Sequence, residues 1–112
     1  MNTTNIGNKG EDMAEAELVR SGYEIIQRNW KTKWCEVDIV AKKADIVYFI
    51  EVKYRKNNRQ GDGFDYIGKK KIQHLRTAVE LWVDINNWRG QCELMAVSVT
   101  GEGIVDLLSI DE

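Results

Sequence analysis

The sequence predicts an α/β fold, a mixed β-sheet flanked by helices, on three observations. Apolar residues recur at helical spacing in two separated segments, residues 9–21 and roughly 66–86. Five shorter runs rich in β-branched and aromatic residues lie between and after them. There is no proline, repeat or low-complexity stretch at which to cut the chain, so residues 1–112 read as a single domain in the order α-β-β-β-α-β-β.

The first helix is marked by Met13, Ala14, Ala16, Leu18 and Val19, with Gly22 as its stop signal. A short strand over about 23–29 follows. The apolar stretches 35–42 and 46–54 are separated by Lys43, Ala44 and Asp45 and read as an antiparallel hairpin. After "NNRQGDGFDYIG", whose Asn, Gly and Asp content is that of a loop, Ile72, Leu75, Val79, Trp82 and Val83 mark one face of the second helix. "CELMAVSVT" and "GIVDLLSI" close the sheet as two strands joined through Gly101 to Gly103.

Composition narrows the setting. A chain of 112 residues, 43% hydrophobic and 30% charged, is long enough for one real core. No run approaches the roughly 18 apolar residues of a membrane span, and the N-terminus lacks the basic and apolar regions of a signal peptide, so the cytoplasm is the expected compartment. Cys35 and Cys92 lie far apart without metal-ligand companions and read as buried apolar thiols. Net charge is −2, but residues 53–76 carry eight basic and two acidic side chains, a local +6. Such a patch on an acidic chain is the footprint expected for a polyanion such as nucleic acid.

The hairpin carries Asp38, Glu51 and Lys53 among apolar residues. Strand side chains alternate in direction and opposed residues share a side. A two-residue Lys43-Ala44 turn, or a four-residue turn placing Ala41 opposite Ile46, puts Asp38 opposite Phe49 and diagonal to Glu51, whereas a three-residue turn separates Asp38 from Glu51 unless a bulge corrects it. One face then holds Val37, Ile39, Ala41, Ile46, Tyr48, Ile50 and Val52; the other holds Glu36, Asp38, Val40, Val47, Phe49, Glu51 and Lys53. Two neighbouring carboxylates repel unless both face water, one is protonated or a cation lies between them. Oxygen donors from Asp38 and Glu51 suit Mg²⁺ (or Mn²⁺), which polarises a phosphate and acidifies a bound water, and Lys53 would assist the attacking water.

At this point the chain resembles a known family, the small YraN-like proteins, placed in the restriction-endonuclease-like superfamily with its D…(D/E)xK signature. "NKGEDMAEAEL" resembles the family's Gly-Glu-x-x-Ala helix, "GYEIIQRNW" its Gly-Tyr…Arg-Asn-Trp strand, "CEVDIVA" its Gly-Glu-Ile-Asp-Leu-Ile strand and "FIEVKYR" its Phe-Val-Glu-Val-Lys-x-Arg strand. Cys35 stands where a glycine is usual. The resemblance implies a restriction-endonuclease-like fold and a metal-dependent endonuclease hydrolysing phosphodiester bonds, in DNA and including branched DNA. It assigns Asp38 and Glu51 to the metal and Lys53 to catalysis. Glu11 matches a helix glutamate used near the metal by resolvase relatives, many of which work as twofold homodimers, and Lys71 falls near a basic position on the following helix.

Arg55, Lys56, Arg59, Lys69, Lys70, Lys71 and Arg76 are the expected phosphate-binding side chains. Glu11 also has a simpler explanation as a carboxylate in the first turn of a helix, where the dipole favours it. His74 reads as a surface histidine. Among the four tryptophans, Trp34 and Trp88 lie outside the strongest periodic stretches and are the candidates for stacking on bases. Two other functions remain open on the sequence alone: a non-cleaving nucleic-acid-binding module with the same fold, and a partner-binding subunit that docks through the acidic tail "GEGIVDLLSIDE".

Overall fold

A computed structural model describes residues 3–55, 68–103 and 105–110, with the first six, 3–8, described by their backbone alone. The elements are α1 (Thr3–Arg20), β1 (Glu24–Lys31), β2 (Glu36–Lys43), β3 (Ile46–Arg55), α2 (Lys69–Asn86), β4 (Gln91–Thr100) and β5 (Val105–Ser109), in the expected α-β-β-β-α-β-β order. They form one five-stranded sheet ordered β1-β2-β3-β4-β5. β3 and β4 run parallel and the other pairs antiparallel, so the sheet is mixed. The parallel pair follows from the connection, because α2 carries the chain back before β4 begins.

α1 starts six residues earlier than apolar spacing marks it, since that spacing begins only at Met13. Glu11 is therefore well inside the helix instead of in its first turn, and the dipole explanation for it is withdrawn. The helix ends where Gly22 was expected to stop it. Gly22 has φ +95, the Tyr23 N–H donates to the Leu18 carbonyl at 2.9 Å and the Gly22 N–H to the Val19 carbonyl at 3.0 Å, the pair of bonds that closes a Schellman cap. α2 is closed by Asn87 at φ 53, whose N–H reaches the Val83 carbonyl.

The helices cover opposite faces of the sheet. Ala14 and Leu18 of α1 pack on Ile39, Ala41, Ile50, Met95, Val97 and Val99. Leu75, Ala78 and Trp82 of α2 pack on Val37, Val40, Val47, Phe49 and Leu94. Phe49 and Ile50 thus serve different cores, as alternation requires. Phe49 meets Trp82 edge to face with ring centroids 5.6 Å apart. The Trp82 indole N–H donates to the Gln27 amide oxygen at 2.9 Å, tying α2 to the edge strand β1. Gln27→Ala is expected to cost about 1–2 kcal/mol by leaving that buried donor unsatisfied, measurable by urea unfolding.

Three details of the hairpin and its neighbour differ from expectation. The β2–β3 turn is Ala44-Asp45, with Lys43 opposite Ile46; both turn residues have positive φ, 52 and 64. Paired left-handed residues match the twist of a two-residue hairpin. The register therefore moves by two residues while the faces stay as expected from Ile39 to the turn: Val40, not Asp38, lies opposite Phe49, and the ladder's last pair is Ile39 with Ile50, the residues next to Asp38 and Glu51. Val37 joins the α2 core although Ile39 belongs to the α1 core. The neighbouring strand β1 is irregular as well: Ile26 is skipped as a bulge between Ile25 and Gln27, and Asn29 takes φ 52. Arg28 opposite Ile39 then points to α1, and Trp30 opposite Val37 points to α2. Among the described residues no helix is long and apolar enough to cross a membrane.

Candidate active site

Asp38, Glu51 and Lys53 come together where β2 and β3 part. Beyond Ile39 and Ile50 the ladder between these strands ends, and the Val52 N–H donates to the Asp38 carboxylate at 2.7 Å. A side-chain oxygen thus takes a donor that a strand carbonyl would otherwise accept. Asp38 is half-buried, and its pKa is raised above 3.8, first by burial; the Val52 N–H, Lys71 and Lys53 act in the opposite sense. Glu51 is buried, at 8% exposure. Its carboxylate receives the Lys71 ammonium at 2.7 Å.

Lys71 is the residue whose placement the sequence did not foretell in full. It belongs to the basic segment expected to bind phosphates, yet it lies in the first turn of α2 and turns inward onto Glu51 of β3. The first turn of α2 carries Lys69, Lys70 and Lys71, no acidic side chain, and a Gly68 cap without a side-chain hydrogen bond. Cations are disfavoured at a helix N-terminus, whose free N–H groups and dipole attract anions. The positive end of α2 therefore sits beside two carboxylates and is compensated by one of them.

Among the described residues no group of three or more His, Cys, Asp and Glu side chains is placed to hold a metal ion. The donor set fits Mg²⁺ nonetheless, because that ion is bound by one or two carboxylates and keeps water and phosphate in its remaining positions. A lysine ammonium on Glu51 is itself a sign that this buried carboxylate calls for a cation.

Glu11 is held elsewhere. Gly10 lies against Tyr54 of β3, where an added Cβ would come within 3.1 Å of the ring, so α1 approaches the end of β3 closely. The Glu11 carboxylate, however, is 3.4 Å from the Arg28 guanidinium, which also holds Asp12 at 2.7 Å and Glu15 at 3.4 Å. Arg28 lies within the Arg-Asn-Trp motif, but nothing in its spacing announced that one guanidinium would gather three carboxylates of α1.

The other expected side chains divide into groups. Lys69, Lys70 and His74 are exposed on α2, and Lys53 and Arg55 are half-buried at the end of β3. Arg76 lines a cavity of about 570 Å³ between α2 and β4, together with Glu80, Cys92 and Ile110. Lys56 and Arg59 lie outside the described residues. Both cysteines are half-buried and free, not fully buried as expected; Cys35 sits 3.5 Å from the Thr32 hydroxyl, and burial pushes the Cys92 thiol up. Trp88 is half-buried against the α2 core, with its indole N–H on the Gln91 carbonyl at 3.1 Å and the Lys42 ammonium 5.2 Å from its ring centroid. Trp34 is the more accessible of the two, 65% exposed.

The comparisons with known proteins agree with the motifs. The family model described as "Uncharacterised protein family UPF0102" matches residues 10–109. A UPF0102 protein of Fusobacterium nucleatum is 37% identical over 89 residues, covering 80% of this chain and 75% of its own. One of Cytophaga hutchinsonii is 36% identical over 96 residues, 86% of this chain and 85% of the relative. One of Caldicellulosiruptor saccharolyticus is 40% identical over 83 residues, 74% and 70% of the two chains. With a family model running from Gly10 in α1 to Ser109 at the end of β5, and relatives of this identity over most of their length, the chain belongs to the UPF0102 family, the YraN-like proteins.

Proposed function

We propose that this protein is a metal-dependent endonuclease of the restriction-endonuclease-like superfamily, hydrolysing phosphodiester bonds in DNA. The observation that carries the reading is the Lys71–Glu51 pair at 2.7 Å beside Asp38: two carboxylates from adjoining strands, one buried and one half-buried, with lysines from two elements around them. Solvated strand charges do not need such an arrangement. Asp38 and Glu51 would hold Mg²⁺ or Mn²⁺, whose chemistry there is to polarise the phosphate and lower the pKa of water. Lys53, two residues beyond Glu51 on the same strand face, would orient the attacking water and offset charge on the phosphate. Lys71 would leave Glu51 as the site fills and turn its ammonium toward substrate. Glu11, tied to Arg28, acts on the site through the position of α1.

The test is incubation of the protein with linear, nicked, flapped and four-way DNA in Mg²⁺ or Mn²⁺, beside the same panel in chelator. Metal-dependent cleavage of any member supports the reading. Binding without cleavage under every condition assigns the protein to the non-cleaving module instead.

The exposed lysines at the head of α2 supply the next prediction. Each phosphate neutralised releases counterions, so log affinity falls with log salt by about 0.9 per contact on duplex DNA. Lys69→Glu with Lys70→Glu is expected to weaken DNA binding and flatten that slope by about two contacts' worth, read by fluorescence anisotropy over a salt series. An unchanged slope removes this end of α2 from the interface.

A further inference from the structure

Trp34 is the most exposed tryptophan among the described residues: Trp82 is buried, and Trp30 and Trp88 pack against the α2 core. An apolar ring at 65% exposure gains nothing for the fold. Its backbone, by contrast, is tightly held. The Thr32 N–H donates to the Cys35 carbonyl at 2.9 Å, closing the β1–β2 turn, and the Thr32 hydroxyl accepts the N–H groups of Trp34 at 3.1 Å and Cys35 at 3.3 Å. The ring is presented from a fixed turn, so only its side-chain rotamer remains to be ordered when something covers it.

The surroundings say what that something is. Lys31 and Lys33 flank the turn, and the Lys33 ammonium stands 4.9 Å from the Trp34 ring centroid; Glu36 is the nearby acidic residue. The ammonium lies over the ring, so the ring, still 65% exposed, already meets a cation and is suited to a flat, polarisable group attached to an anionic backbone. The turn also lies at the end of the sheet that carries the candidate active site, since β2 begins at Glu36 and Asp38 is its third residue. Asp38 lies four positions after Trp34, so their Cα atoms are at most about 14 Å apart.

We infer that Trp34 is a stacking platform for an unpaired nucleobase in a single-stranded stretch of substrate next to the phosphate held at Asp38 and Glu51. The inference rests on the nuclease reading and narrows it. Bases inside a duplex already stack on each other, so a largely exposed ring serves a flap, a frayed end or a strand displaced at a junction. Lys31 and Lys33 hold the phosphates on either side of that base.

The experiment uses the full chain in chelator, with three labelled probes: a poly-dT strand, a blunt duplex, and the same duplex with a poly-dT tail. Trp34→Ala is expected to weaken binding of the strand and the tailed duplex about tenfold, leaving the blunt duplex within about twofold. Trp34→Phe, which keeps a stacking ring, is expected to stay within about threefold on all probes. Tryptophan emission, quenched by the strand in wild type, should lose most of that quenching in Trp34→Ala. Equal affinities and unchanged quenching in Trp34→Ala overturn the platform while the nucleic-acid reading stands, and so does a loss of the same size on all three probes. Failure of the wild type to bind any probe overturns both.

Discussion

Asp38→Asn is expected to lower metal-dependent cleavage by more than about a hundredfold, the upper range for disturbing even the residues behind a metal ligand. DNA binding should persist or tighten, because a negative charge leaves the phosphate path. The fold should survive as well. Asparagine keeps a side-chain oxygen that can accept the Val52 N–H, the bond Asp38 makes at 2.7 Å. Stability then has a definite pH dependence. Burial raises the Asp38 pKa above 3.8, so ionising it costs the folded state more than the unfolded one. That cost is absent below 3.8, grows as pH rises through the raised value and is complete above it. Asp38→Asn should therefore melt like wild type in acid and at or above wild type at neutral pH. Lys53→Ala separates the roles: both carboxylates remain, so calorimetry should find metal binding retained while turnover falls. Equal metal affinity in wild type and Asp38→Asn would remove the metal site.

Lys71→Met should destabilise the metal-free protein by about 1–3 kcal/mol, since the buried Glu51 carboxylate loses its partner at 2.7 Å. In a domain of this size that is a fall in melting temperature of about 4 °C or more. Mn²⁺ or Mg²⁺ should recover much of it, because a ligand that binds only the folded state stabilises it by mass action. The variant should also bind the metal more tightly than wild type, with no ammonium to displace. The double variant Lys71→Met with Glu51→Gln completes the cycle, and its cost should be less than the two single costs added together. Melting identical to wild type, with unchanged metal affinity, would make the pair an incidental contact.

Much of this was open to reading along the chain, for local reasons. The α2 face of Leu75, Trp82 and its neighbours follows from 3.6-residue spacing, and the end of α1 follows from Gly22, the residue that most easily adopts the φ of +95 its cap requires. That Asp38 and Glu51 share a side needed only that the hairpin turn contain an even number of residues, and Ala44-Asp45 satisfies that with a register nobody could count from the turn residues themselves. Alanine has no preference for the left-handed conformation it takes there, so the turn was placed by the strands it joins. Tertiary structure decided the rest. The bulge at Ile26 and the positive φ of Asn29 reverse the faces of β1, sending Arg28 to three carboxylates on α1 and Trp30 to the opposite core. The docking of α2 on Phe49 brings Lys71 to Glu51, twenty residues away in sequence. Periodicity sets which way a side chain points from its own strand or helix. Which charges meet is set by the packing of one element on another, and no spacing within either element contains it.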